Sequence, residues 1–325
     1  MSLSLKQLPS LSPFDPEEGQ TIIQPMDNAE GNWVGACNVV YDDESKKYFL
    51  YYRIRQPRPV RGGKCVIAES SDGIHFTTVW ETTKESLDST SIEKASMMKA
   101  ANGKWRLYMS YVDPADQRWR TDVIEADSPA QFDIANRQKV FTAADLNVEG
   151  VKDPYCFTFE GKTYLLLSYA PGNPNANEAD KSEMHATSDI YNTAHTKSSS
   201  GLAVSKDGIT FEWLGDVFAP SESGWDCHAA RLGSILFRPP VFIGFYDGGP
   251  THLENYEEKT GIAVSSDLKT WHRVSVDGPA ITSPHGTGSL RYMDPLEMPG
   301  ETRYYYEYAR ADGAHEIRLN IVKHS

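Results

Sequence analysis

Three acidic residues hold corresponding places along this chain: Glu93 in Ser91-Ile92-Glu93-Lys94, Asp153 in Val151-Lys152-Asp153-Pro154 and Asp226 in Trp225-Asp226-Cys227-His228. Each begins an apolar run, where a carboxylate is costly unless it is solvated or paired. If the three meet, they can do proton chemistry. One carboxylic acid protonates a leaving oxygen, a second carboxylate acts as base or nucleophile, and a third tunes the first. Crowded like charges raise at least one pKa and keep a proton available near neutral pH. Glycosidic cleavage uses this arrangement. The competing reading is that they are ordinary strand-end acids, since the chain has 45 Asp and Glu. Asp153 is the strongest candidate, because the proline after it restricts its backbone.

Other polar residues fall near the same places. His228 and Arg231 follow Asp226 at a spacing that puts His228 on the same wall, as a substrate hydrogen-bond partner, an acid tuner or a satisfied structural histidine. Asp247, in Tyr246-Asp247-Gly248-Gly249, is placed to bind sugar hydroxyls, with glycines that allow close backbone approach. Arg291 is placed to neutralise central acids, and Asn38 holds the corresponding place in the first stretch. Arg53, Arg55, Arg58, Arg61 and Lys64 read as a basic loop, either solvated or binding a phosphate or an acidic sugar.

The elements that must bring these residues together repeat five times. An apolar-aromatic run recurs at Tyr48–Tyr52, Trp105–Met109, Tyr164–Ser168, Val241–Tyr246 and Arg303–Glu307. After a polar loop, each is followed by a short strand: Cys65–Ala68, Asp122–Glu125, Gly201–Val204, Gly261–Val264 and Glu316–Leu319. Repeats of this size built from several strands signify propeller blades. Taking Tyr51, Tyr108, Leu167, Phe245 and Tyr305 as equivalent, the intervals are 57, 59, 78 and 60 residues. The long interval contains an insertion, Ala170 to Ser200, a polar loop with room for one short helix; loops of that length usually line or cover sites. The Asp-Gly turns at Asp72-Gly73 and Asp207-Gly208, with their counterpart Asp267-Leu268, each lead to an aromatic outer-strand anchor. The expectation is an all-β chain: a five-bladed β-propeller with four-stranded antiparallel blades. Residues 1–32 form a lead-in packing on it, with a short strand near Thr21-Ile22-Ile23, and residues 33–325 form the single catalytic domain. A propeller gathers the starts of its innermost strands at one mouth, which is why Glu93, Asp153 and Asp226 are expected to meet.

Composition narrows the partners. A net charge of −13 disfavours nucleic acid and anionic membranes. No stretch is apolar enough to span a bilayer, and the N-terminus lacks a signal-peptide core, so a cytoplasmic location is expected. Cys37, Cys65, Cys156 and Cys227 match no zinc spacing; Cys37 and Cys156 read as buried thiols. No cofactor is expected, although a central channel leaves room for a structural cation. The expected partner is a small glycoside or oligosaccharide; the oligomeric state is not readable.

With five repeats and these motifs, the chain resembles the five-bladed β-propeller glycoside hydrolases, a group with the family 43 arabinofuranosidases and xylosidases, the family 32 fructosidases and the family 130 mannoside phosphorylases. Val151–Phe157 looks like the Asp-Pro strand of those families, Trp225–His228 is similar to their acid-bearing strand, and Gly261–Trp271 resembles their common blade ending. The resemblance implies that Asp153 orients and tunes the acid, Asp226 donates the proton and Glu93 is base or nucleophile. The families usually carry Asp at the Glu93 place and Glu at the Asp226 place, and the Arg-Ile-Glu-Asp-Pro-Arg signature of the mannoside phosphorylases is absent. The implied activity is an exo-acting glycosidase, inverting, with the insertion walling off the pocket. The alternatives are a phosphorylase or anionic-sugar glycosidase using the Arg53–Lys64 loop, and a non-catalytic carbohydrate-binding propeller.

Overall fold

In the computed structural model, residues 14–324 are described, so the first part of the 1–32 lead-in lies outside them. A short strand, β1 (Gln20–Ile23), precedes five groups of antiparallel strands. The first group is β2 (Trp33–Asp42), β3 (Lys47–Gln56), β4 (Arg61–Ser70) and β5 (Thr77–Thr83). The second is β6 (Ile92–Lys99), β7 (Trp105–Val112), β8 (Trp119–Ala126) and β9 (Gln138–Phe141). A one-turn helix, α1 (Ala143–Leu146), leads to the third: β10 (Gly150–Phe159), β11 (Lys162–Ala170), β12 (Ser199–Ser205) and β13 (Glu212–Phe218). The fourth is β14 (Ala229–Arg238), β15 (Val241–Gly249), β16 (Lys259–Ser265) and the two-residue β17 (His272–Arg273). The fifth is β18 (Leu290–Met298), β19 (Glu301–Ala309) and β20 (His315–Lys323), and β1 pairs antiparallel with β20 as its outer strand. The short strand expected near Thr21 is therefore the last strand of the last group.

The groups do not merge into one closed sheet. Groups two and three are separate four-stranded sheets, whereas single parallel pairs, Lys259 with Leu290 and Trp33 with His315, join groups four, five and one. The five apolar-aromatic runs lie on the second strands, β3, β7, β11, β15 and β19. They read as continuous apolar runs because they are covered on both faces; Tyr48–Tyr52 and Trp105–Met109 are buried throughout. The covering is aromatic. Phe49 meets Trp105, Tyr108 meets Phe211, Phe159 meets Phe242, Phe245 meets Tyr304, and Tyr305 meets Phe76. Each contact joins one group to the next, and the final one joins the fifth to the first. Such pairs contribute about 0.5–1.5 kcal/mol each beyond the area they bury.

The recurrent turns fasten the groups together. Asp72 and Asp207 each accept two backbone N–H bonds, which leaves Gly73 at φ +75° and Gly208 at φ +72°. The buried carbonyl of Gly73 accepts from Tyr305 of group five, and that of Gly208 from Tyr108 of group two. The first strands contact one another in ring order: β2 with β6, β6 with β10, β10 with β14, β14 with β18 and β18 with β2. Among the described residues no helix is long and apolar enough to cross a membrane.

Candidate functional site

The first strand of every group carries a break in register, and those breaks face the axis. The breaks fall between Gly35 and Asn38, Ile92 and Ala95, Lys152 and Tyr155, Leu232 and Ser234, and Arg291 and Asp294. A bulge of this kind bends the strand and re-aims side chains. In groups one, three and five the bulge places Ala36, Asp153 and Tyr292 at φ +54°, +54° and +52°. A non-glycine residue there is strained by about 1–3 kcal/mol. The strain belongs to the repeated bulge, while the side chain at that position differs from group to group. Group two supplies Glu93 and Lys94, group three Asp153, and group four only Gly233.

Glu93 and Asp153 are brought together. Both are buried, and Lys152 Nζ lies 3.7 Å from Glu93 Oε1 and 3.3 Å from Asp153 Oδ2. Those two distances keep the oxygens within about 7 Å of each other. Glu93 is also ion-paired to Arg53, with Arg55 Nη1 at 4.0 Å. Asp153 is the less occupied of the two, because neither of its buried oxygens has a hydrogen-bond partner among the described residues. Lys152 sits over the rings of Trp119 and Tyr191, and burial lowers its pKa to about 8 despite the neighbouring Asp153.

Asp226 is not brought to this pair. The Trp225–His228 stretch lies ahead of β14, which begins at Ala229, and the β14 residues matching Lys152 and Asp153 by register are Leu232 and Gly233. Asp226 instead accepts from Arg273 Nε at 2.7 Å and Tyr246 Oη at 3.0 Å. Arg273 is on β17, the outermost strand of group four, so Asp226 faces the rim of its own group. The Gly286–Ser289 stretch, which reads as the matching strand start of the fifth repeat in the sequence, likewise precedes β18.

Most of the remaining expected ligands are committed to the scaffold. Asn38 donates to Asp294 and accepts from the Met97 N–H, tying groups one, five and two. Arg231 donates to Ser198, Glu258 and Asn255, at 2.7 Å each. Arg291 donates to Glu307 at 2.9 and 2.8 Å and to Glu258 at 2.7 Å. Burial opposes the ionisation of Glu258, but Arg231 and Arg291 outweigh it and hold the pKa at about 2. Glu307 is held near the same value by Arg291 and His315. Burial, reinforced by Arg231, lowers the His228 pKa to about 4, so this imidazole is neutral near pH 7. Asp247 accepts only from the Tyr292 backbone N–H among the described residues. Burial, and then Glu258, raises its pKa to about 7.

The basic stretch is not a loop over the mouth. Arg53 and Arg55 lie on β3 and Arg61 begins β4, with a turn between them, and all three are buried; Arg58, in the turn, is half exposed. Covering them is the insertion between β11 and β12. It contains α2 (Glu178–Ala186), capped by a reciprocal Asn177–Asp180 box, and a 3-10 turn, Ile190–Asn192. Asp189, Ile190 and Tyr191 are buried against the axial charges. Asp189 and Glu258 were missed as site residues because each lies in a polar connection without periodic neighbours. Glu307 was hidden inside a tyrosine-rich run. The one available signal was the length of the insertion.

No family model matches the sequence, and no curated protein does. Solved structures are similar over nearly the whole chain. A glycosyl hydrolase from Bacteroides ovatus aligns with a TM-score of 0.66 at 13% identity, covering 98% of this chain and 96% of its own. A structure described under the GH130 family of mannoside phosphorylases, containing glycoside hydrolases that target β-1,2 mannosidic linkages in Candida mannan, aligns at 0.64 and 14%, covering 96% and 95%. A thermostable family-43 glycoside hydrolase aligns at 0.62 and 15%, covering 93% and 92%. At these identities the likeness is one of fold: this chain has the fold of the propeller glycoside hydrolases.

Proposed function

We propose that the chain is a five-bladed β-propeller glycoside hydrolase that removes a terminal sugar from a small glycoside or oligosaccharide. Five antiparallel groups whose first strands touch in ring order support the blade count. The observation that carries the chemistry is Asp153: a buried carboxylate at a strained bulge, beside Lys152, with neither oxygen hydrogen-bonded among the described residues. A carboxylate kept free in this way suits a base that accepts a proton from water. Glu93, pinned by Arg53 and Lys152, is suited to fixing that charge pattern and poorly suited to bond formation. Asp247 takes the acid role here in place of Asp226, because it can hold a proton near pH 7. A base acting through water implies inversion at the anomeric carbon.

The test is a panel of chromogenic aryl glycosides, with and without phosphate, on the wild type and on Asp153→Asn. The expected result is turnover of at least one member without phosphate and its loss in the variant. NMR of the first-formed sugar anomer reads the stereochemistry. Sugars that bind with no turnover of any aryl glycoside would replace this reading with a carbohydrate-binding propeller.

A further inference from the structure

The cations beside Glu93 outnumber the acceptors that reach them. Arg53 Nε, Arg55 Nη1 and Arg61 Nε are buried and have no hydrogen-bond partner among the described residues, and neither has the indole N–H of Trp119. Arg61 Nη2 lies 3.0 Å from Asp189 Oδ2 but outside hydrogen-bond direction, so it counts as an ion pair only. These groups are neighbours. Arg61 lies over the Trp119 ring at 5.7 Å, and Arg55 over the rings of Tyr256 at 3.7 Å and Trp33 at 5.1 Å. A guanidinium held over an aromatic face can still offer its N–H edge to a planar or tetrahedral oxyanion. Buried donors left unmade are costly, so such a set points to a ligand.

The protein's own carboxylate now stands in this place. Asp189 Oδ2 takes Arg61, Arg58 at 3.4 Å, Asn192 Nδ2 at 3.2 Å and the Tyr256 hydroxyl, all on one oxygen. Tyr256 reaches it with φ at +100°, outside the region ordinary residues occupy. Asp189 belongs to the insertion between β11 and β12, which is held in place by side-chain bonds, His185 with Glu149, Ser188 to Gln117 and Asn192 to Tyr256, and, among the described residues, by no strand ladder of its own.

We propose that Arg53, Arg55 and Arg61, with Trp119, form an oxyanion site that takes the carboxylate of a uronic acid sugar or a phosphate, and that Asp189 is the internal carboxylate occupying that site until the ligand displaces it. This deepens the glycosidase reading by naming an anionic substrate, but the site can be tested without turnover.

Binding is measured by calorimetry on the full chain with glucuronate, galacturonate, inorganic phosphate, and glucose and xylose as neutral controls. At least one anion binds and the neutral sugars do not; uronate binding alone identifies the sugar carboxylate as source, and phosphate binding alone identifies phosphate. Asp189→Asn, which removes the competing charge and keeps the shape, tightens the anion about tenfold. It also enlarges the thermal stabilisation that the anion confers. Arg55→Gln weakens the anion by a similar factor. Neutral sugars binding as tightly as uronates, or anion affinity unchanged in both variants, overturns the site. If a variant does not fold, the wild-type contrast between glucuronate and glucose decides alone. Anion binding with no glycoside turned over would sink the hydrolase and spare this site; turnover of neutral glycosides with no anion bound would do the reverse.

Discussion

On the side of groups four and five, each axial arginine is fully spent. Arg231 and Arg291 share Glu258, and each of the three nitrogens of Arg231 has a partner at 2.7 Å. On the side of groups one to three, Arg53, Arg55 and Arg61 keep donors without acceptors among the described residues, and Asp153 keeps acceptors without donors there. Both sides are buried and equally charged in appearance. Burial and charge therefore do not separate the two sets of arginines; the completeness of their hydrogen bonding does. A finished network rigidifies, whereas an unfinished one waits for something else to complete it.

The comparison can be broken at four points. Asp153→Asn is expected to cut turnover by roughly 10²–10⁴-fold with little change in stability, because its oxygens make no hydrogen bond among the described residues and Lys152 keeps Glu93 as a counter-charge. Kinetics and urea unfolding on the same sample read both. Glu258→Gln is expected to do the opposite and destabilise by about 3–5 kcal/mol, since it leaves Arg231 and Arg291 buried with fewer counter-charges. If Glu258→Gln folds with wild-type stability, the distinction between the two sides is lost.

A smaller effect should appear in pH dependence. The Asp247 carboxyl is raised from 3.8 to about 7 by burial and by Glu258. The folded chain thus holds a proton that the unfolded chain releases. Its stabilising contribution is full below the unfolded pKa and disappears as pH rises through the folded one. Glu258 and Glu307, held near 2, act in the other direction and only below their ordinary value of 4.5. As pH rises from about 5 to 7, the wild type should therefore lose stability relative to Asp247→Asn, with no further loss above that. Parallel urea midpoints across that window would show that Asp247 is not the proton carrier. The smallest effect is at the outer turns: Asp207→Ala should cost about 1 kcal/mol by removing two backbone acceptor bonds, with activity unchanged.

Legibility followed periodicity. The second and third strands of all five groups coincide with the runs read from the sequence, because a strand covered on both faces must be apolar along its length and its partner must match it. Glu93 and Asp153 were legible for a related reason: each sits next to a strand start that the repeat itself marks. Asp226 was not, because groups four and five open with irregular stretches that mimic a strand start. Two residues, Cys227 and His228, separate Asp226 from the first residue of β14, enough to turn its carboxylate from the axis to the rim and into the hands of Arg273.

The order of residues by itself determined an all-β chain of five repeating units, the tight Asp-anchored turns that fasten them, and a long insertion over one face. Those properties are local, set by side-chain alternation and turn chemistry. The folded molecule alone decided which charges are consumed and which are left over. Glu258 meets Arg231 and Arg291, and Asp189 meets Arg58 and Arg61, only because separate strands and loops converge on one axis, and pairing between such distant residues leaves no trace in sequence spacing.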